Sequence, residues 1–215
     1  MNGVIGLAGT LALLLLLGAV LGLADRRNFP VRWLAIAAVL VALNDVLLTR
    51  CYGVLPDLIG GAWNWQGKLM ALAVTIVIAA LPAFGFRRVG LTVSHKPGSL
   101  KAAVPVAGAY CAFFVVIAML FPADQPSAED IAFQMTMPGL EEELFYRGIL
   151  LFALDQAFGG RKRLFGVDWG WGAVLSSVLF GMTHAFGYAD GSFSFDPITM
   201  ALTAIPSFIA VWLRL

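Results

Sequence analysis

PGLEEELFYRGIL, residues 138–150, sets Glu141, Glu142, Glu143 and Arg147 inside a chain whose neighbouring stretches are almost wholly apolar. Which solvent surrounds this stretch decides the fold. Of the 215 residues, 60% are hydrophobic and 13% are charged, against about a quarter charged in soluble domains. That balance belongs to a chain dissolved in lipid, so the carboxylates lie in or beside a bilayer. The formal net charge is +1, which gives no basic field for nucleic acid. Cys51 and Cys111 are the only cysteines, and Cys111 lies in the apolar run AYCAFFVVIAML. Two such residues suggest neither a disulfide framework nor a cysteine metal site.

A helix needs about 20 residues to cross the hydrocarbon core. The apolar runs predict an all-α, polytopic transmembrane helix bundle with about seven spans, near 4–23, 33–50, 66–86, 102–121, 131–156, 172–188 and 197–213. The opening MNGVIGLAGTLALLLL lacks the basic start of a signal peptide and reads as the first span. The basic residues then assign sides. Arg26, Arg27 and Arg32 follow the first span, Arg87, Arg88, Lys96 and Lys101 the third, Arg161, Lys162 and Arg163 the fifth, and Arg214 the seventh. The alternate connections carry Asp57, Asp124, Glu129, Asp130, Asp190 and Asp196, with only Arg50 and Lys68 near a membrane edge. By the positive-inside rule the protein is an integral, multi-pass membrane protein with its N-terminus outside and its C-terminus cytoplasmic. The basic loop RRVGLTVSHKPGSLK separates residues 1–86, transmembrane helices without a motif, from residues 87–215, where the chemistry-bearing side chains lie.

An ionisable side chain at the centre of a span costs roughly 2.5–3.5 kcal/mol on insertion scales, so it turns inward and finds a partner. Glu143 and Arg147 are four residues apart, with the acid first, which favours an ion pair on one helix face. Glu142 lies about 100° further round a regular helix and needs a different partner. His184, in the sixth span within LFGMTHAFG, is the candidate, because the other histidine, His95, lies in the basic loop. A glutamate and a histidine facing each other across two helices can hold a water and take its proton. Phe180, one turn before His184, would pack beside the imidazole and exclude bulk solvent. Against this stands the bland reading: membrane ion pairs are commonly structural, and a lone histidine commonly makes an interhelical hydrogen bond. Structural pairing alone, however, does not require three carboxylates.

PGLEEELFYRG, followed about forty residues later by LFGMTH, resembles the EExxxR and FxxxH motifs of the CAAX prenyl protease and bacteriocin-processing family of intramembrane proteases. Glu142, Glu143 and Arg147 match the first motif and Phe180 and His184 the second, while Glu141 stands where the family varies. The likeness covers roughly residues 88–215. It implies a helical bundle with a conical cavity in which Glu142 and His184 activate water for peptide hydrolysis. Glu143 would join them in the catalytic set, and Arg147 and Phe180 would support it. Two forms of that chemistry stay open: a glutamate-dependent one, and a metalloprotease-like one with a divalent ion, zinc, on Glu142, Glu143 and His184. The implied partners are the lipid bilayer and a membrane-associated or lipidated peptide or protein substrate, with no nucleic acid.

The family also brings a third motif, HxxxN or HxxxD, from a later helix. No histidine follows His184, so the sequence predicts either a continuation past Leu215 with a histidine-bearing helix or a product that does not hydrolyse peptides. The alternative function is a non-catalytic membrane scaffold or a bacteriocin self-immunity protein of the same fold. A transporter ranks last, because the sequence contains no internal repeat.

The charge pattern makes a direct prediction about sides. A reporter inserted in the 87–101 loop is expected in the cytoplasm and one in 122–130 outside. Both on one side would contradict the alternating arrangement.

Overall fold

The computed structural model describes residues 2–24, 29–121 and 125–215. Arg26, Arg27 and Asp124, used above to assign sides, lie outside the described residues. The protein is mostly helical. Helix α1 spans Asn2–Ala24, α2 Val31–Leu48, α3 Trp65–Ala80 and α4 Leu100–Leu120. A longer helical rod follows, composed of α5 (Ala128–Met137), a π-helical segment (Pro138–Leu150) and α6 (Leu151–Ala157). The chain ends with α7 (Trp171–Ala185) and α8 (Pro197–Arg214).

Each apolar run read from the sequence is therefore helical, but the lengths differ from seven equal crossings. Only α1, α2, α4 and α8 are long and apolar enough to cross a membrane by themselves, among the described residues. At 16 and 15 residues, α3 and α7 fall short of about 20. The rod is long enough, yet it carries Glu129, Asp130, Glu141, Glu142, Glu143, Arg147 and Asp155.

Two β-hairpins correct the all-α expectation. Strands β1 (Arg161–Leu164) and β2 (Val167–Gly170) pair antiparallel, as do β3 (Phe186–Ala189) and β4 (Ser192–Phe195). The sixth helix thus stops at Ala185 instead of running to 188. Here short-range turn chemistry outweighs apolar length. Asp190 and Gly191 both take positive φ, 51° and 80°, as do Phe165 and Gly166, at 51° and 82°. Such two-residue loops match the right-handed twist of paired strands. In the second hairpin the pairs Phe186 with Phe195 and Tyr188 with Phe193 set aromatic residues opposite one another. Phe186 and Phe193 lie against Gly9 of α1, where an added Cβ would meet the Phe186 ring at 2.8 Å.

One hydrophobic core joins the motif-free helices to the rest. Leu14, Leu34 and Leu40 from α1 and α2 cluster with Phe145, Leu150, Leu154 and Leu175. Helix α4, by contrast, has no buried residue and rests at the periphery against α8. The two ends of the bundle differ in charge. At one end Arg214 Nη2 donates to the Arg88 carbonyl (3.1 Å), Lys96 Nζ to the Leu215 carbonyl (2.6 Å), and Trp212 Nε1 to the Phe165 carbonyl (2.9 Å). At the other, Glu129 Oε1 accepts from the Ala62 amide (2.9 Å) and Trp65 Nε1 (3.1 Å), while Asp130 accepts from Trp63 Nε1 (2.6 Å). The start of α1 lies at this acidic end, with Gly3 beside the Tyr52 ring.

The crossing of α6 and α7 fixes how the rod faces the histidine helix. At Gly172 an added Cβ would collide with Asp155 Oδ1 and lie 2.7 Å from the Asp155 backbone nitrogen. Backbone cannot move aside. Gly172→Ala is expected to destabilise the protein by about 1–3 kcal/mol, read as a lower melting temperature by circular dichroism. Gly108→Ala, where nothing lies within 4 Å, should leave the melting temperature nearly unchanged.

Candidate active site

The local backbone at the acidic cluster begins with Pro138. Proline has no amide hydrogen, so the regular i→i−4 ladder loses a rung where α5 gives way to the π-helical segment. The wider i→i+5 turn that follows is rare and frequently marks functional sites. On it Glu141 is fully buried and faces α3, with a side-chain exposure of 0%, whereas Glu142 is 19% and Glu143 45% exposed. Three adjacent carboxylates thus occupy three environments.

Lys68 meets the first two. Its Nζ lies 2.7 Å from Glu141 Oε2 and 2.6 Å from Glu142 Oε1. Adjacent carboxylates need such a cation, because like charges about 4 Å apart repel by about 4 kcal/mol even at an effective dielectric constant of 20. The start of α3 is held so that the lysine reaches them. Asn64 caps α3 by accepting from the Gly67 amide (3.1 Å), and its Nδ2 donates to the Leu48 carbonyl at the end of α2 (2.8 Å). The charge pattern of the sequence places Lys68 near a membrane edge and assigns it no role. A lysine three residues into an apolar helix was the available signal, since such a charge requires a partner. Glu141, left unassigned by the motif, is the anchor for that lysine.

The third carboxylate faces elsewhere. Glu143 pairs with Arg147, 3.3 Å apart at the i, i+4 spacing. The Arg147 guanidinium is buried and stacks over the Phe180 ring, 4.1 Å from its centroid. This pair borders a separate cleft with Gly90 and Arg214, of about 340 Å3.

Helix α7 presents the second motif to the same rod. Ser176 Oγ donates to the Tyr146 carbonyl (2.7 Å), and the Tyr146 hydroxyl meets Thr183 Oγ1 (3.1 Å). The Phe180 ring lies edge-on to Tyr146, 5.0 Å between centroids, and 4.6 Å from the His184 ring. His184 Nδ1 is 2.7 Å from the Phe180 carbonyl. A carbonyl oxygen only accepts, so Nδ1 donates this bond, and in the neutral ring Nε2 keeps its lone pair. That tautomer is the one able to accept a proton or a hydrogen bond from water.

Glu142 and His184 line a single cavity of about 430 Å3, together with Lys68, Glu141, Tyr146 and Asn44. Its wall is completed by the first turns of α1 and by β3, so it lies toward the acidic end of the bundle. Glu141 Oε1 is buried in this wall with no hydrogen-bond partner among the described residues. The structure therefore brings Glu142 and His184 to one cavity, and Arg147 and Phe180 to its flank, and it turns Glu143 away. The donor set Glu142, Glu143 and His184 does not fit a divalent ion as placed. No group of three His, Cys, Asp or Glu side chains suited to a metal occurs among the described residues. The position beside Glu142 is taken by an ammonium.

Residues 125–215 match the family described as type II CAAX prenyl endopeptidase Rce1-like. No curated protein and no solved structure matches the chain. The matched stretch contains the rod, α7 and α8, and so includes Glu142, Glu143, Arg147, Phe180 and His184. Four apolar helices and this likeness make the chain an integral membrane protein, whose residues 125–215 are similar to the CAAX prenyl endopeptidases.

Proposed function

We propose that this protein is an intramembrane endopeptidase of the CAAX protease type, in which Glu142 and His184 activate a water. The observation that carries the reading is that both residues line one cavity, which they share with Lys68 and Glu141. In this reading the water is held by the Glu142 carboxylate and His184 Nε2. Its oxygen attacks the scissile carbonyl carbon as Glu142 takes the proton, and a tetrahedral intermediate forms. That proton then passes to the amide nitrogen, the C–N bond breaks, and a carboxylate and an amine leave. Such positioned proton transfer contributes typically about 10²–10⁴-fold to rate. Glu143 acts at a distance, by fixing Arg147 against Phe180, which in turn packs on the histidine.

Seven crossings with the N-terminus outside and the C-terminus cytoplasmic accord with the segregation of basic and acidic loops to opposite ends. With that orientation the cavity opens toward the outer half of the bilayer. The substrate class is a membrane-associated or lipidated peptide. The alternative, a scaffold or self-immunity protein of the same fold, draws its support from Lys68, which already occupies one oxygen of Glu142.

The test is cleavage of an internally quenched peptide with a farnesylated CAAX tail by the full-length protein in liposomes, cut sites being identified by mass spectrometry. Glu142→Ala and His184→Ala are each expected to lower kcat at least about 100-fold with normal accumulation in the membrane. Cleavage that survives Glu142→Ala refutes the reading, and absence of cleavage by the unmodified protein favours the scaffold.

Arg147→Ala should behave differently. It removes a buried cation and its aromatic contact, so the protein is expected to accumulate poorly. Adding Glu143→Gln, which removes the stranded charge, should restore part of the level seen by immunoblot. Equal levels in the single and double variants would exclude a counter-ion role for Arg147.

A further inference from the structure

The family motif does not include Lys68, and residues 1–86 carry no motif, yet Lys68 makes the shortest polar contact to Glu142. We propose that Lys68 is a positioning residue of the Glu142–His184 site, anchored by Glu141 and holding the Glu142 carboxylate against the cavity wall. The inference rests on the endopeptidase reading.

The contacts distinguish this from a simple ion pair. Glu141 is the more buried partner, and its Oε2 accepts from Lys68 at 2.7 Å. One carboxylate would have sufficed to neutralise the lysine, yet the ammonium makes a second contact, to Glu142 Oε1 at 2.6 Å. Among the described residues no protein donor reaches Glu142 Oε2, the oxygen left for a water. Counting charges over the cluster gives the same assignment. Glu141 and Glu143 are matched by Lys68 and Arg147, and Glu142, which lines the cavity with His184, is the carboxylate left over. An ammonium suits the task because it is a compact point charge with three donors, able to bridge two carboxylates without their lying in one plane. The lysine is in turn held by the Asn64 cap and the Leu48 carbonyl. The motif-free helices thereby set the position of a group in the matched segment.

The experiment uses the full-length protein in liposomes with the same farnesylated quenched peptide. Lys68→Met keeps the aliphatic stem and removes the ammonium. It is expected to lower kcat about 100-fold, the scale of a misplacement of about 1 Å, with KM changed less than about threefold because uniform binding is untouched. Lys68→Arg, which keeps the charge, should recover at least a tenth of the original kcat. Should Lys68→Met fail to accumulate because Glu141 is left buried and unpaired, Lys68→Met with Glu141→Gln removes both charges, and the same loss of kcat is expected.

Failure of Lys68→Arg to recover any kcat, with the protein folded, overturns positioning by charge. Unchanged kcat per folded molecule in Lys68→Met or in the double variant, with Glu142→Ala inactive, overturns the role of Lys68 and leaves the endopeptidase reading standing. Activity persisting in Glu142→Ala overturns that reading, and with it the positioning role. A rise in KM with kcat unchanged means that Lys68 binds substrate, and this also overturns the proposal.

Discussion

Charge neutralisation in a low-dielectric bundle is the constraint from which the arrangement follows. Glu141, Glu142 and Glu143 enter the bundle together on one short segment, and each must meet a partner or stay near water. Lys68 lies between the first two at 2.7 and 2.6 Å, and Arg147 meets the third at 3.3 Å. These two cations come from different places. Arg147 is local, one turn along the same rod, whereas Lys68 arrives from α3 and has to be brought there by packing. The contacts of α3 with the rod, and of α2 with α3 through Asn64 and Leu48, do this. Removing one partner of such a buried pair is costly because the other charge is stranded. The amino-terminal helices are thereby tied to the acidic cluster.

The π-helical segment is the second determinant. Pro138 opens it by breaking the hydrogen-bond ladder, and the wider turn distributes three neighbouring carboxylates over three directions. Glu141 faces α3, Glu142 faces the cavity shared with His184, and Glu143 faces the cleft near Gly90. On the proposed reading this separation is useful, since Lys68 holds one oxygen of Glu142 and the other is left for a water in the cavity shared with His184. Helix α7 complements it. The Phe180 carbonyl accepts from His184 Nδ1, and the Phe180 ring links the imidazole, in a tilted contact, to the Arg147 guanidinium stacked over it.

A large part of this was legible in the residues themselves. Apolar run length, the alternation of basic and acidic connections, and the spacings Glu142, Glu143 to Arg147 and Phe180 to His184 are all local quantities. They led to an all-α membrane bundle, which the structure shows as mostly helical with two hairpins, to the Glu143–Arg147 pair and to the family likeness, which the match over residues 125–215 bears out. Two local signals were available and outweighed by apolar length. Asp190-Gly191 between alternating aromatics marks a hairpin, and Lys68 at the start of an apolar run marks a charge in need of a partner.

What only the tertiary structure decided is which groups meet across the bundle. Run length alone predicts about seven crossings, but the short α3 and α7 and the charged rod are stabilised by neighbouring helices, so length and apolarity no longer describe them. Sequence spacing pairs Glu143 with Arg147 because four residues on a helix return to one face. No spacing pairs Glu141 and Glu142 with a lysine more than seventy positions earlier. That contact depends on the crossing of α3 with the rod, a property of packed side chains rather than of any segment. The sequence by itself determined that carboxylates among apolar helices would demand partners, since the cost of a buried charge follows from residue type and surroundings. Which cation answered each of them was decided by the fold, because proximity between distant segments exists only once the helices have packed.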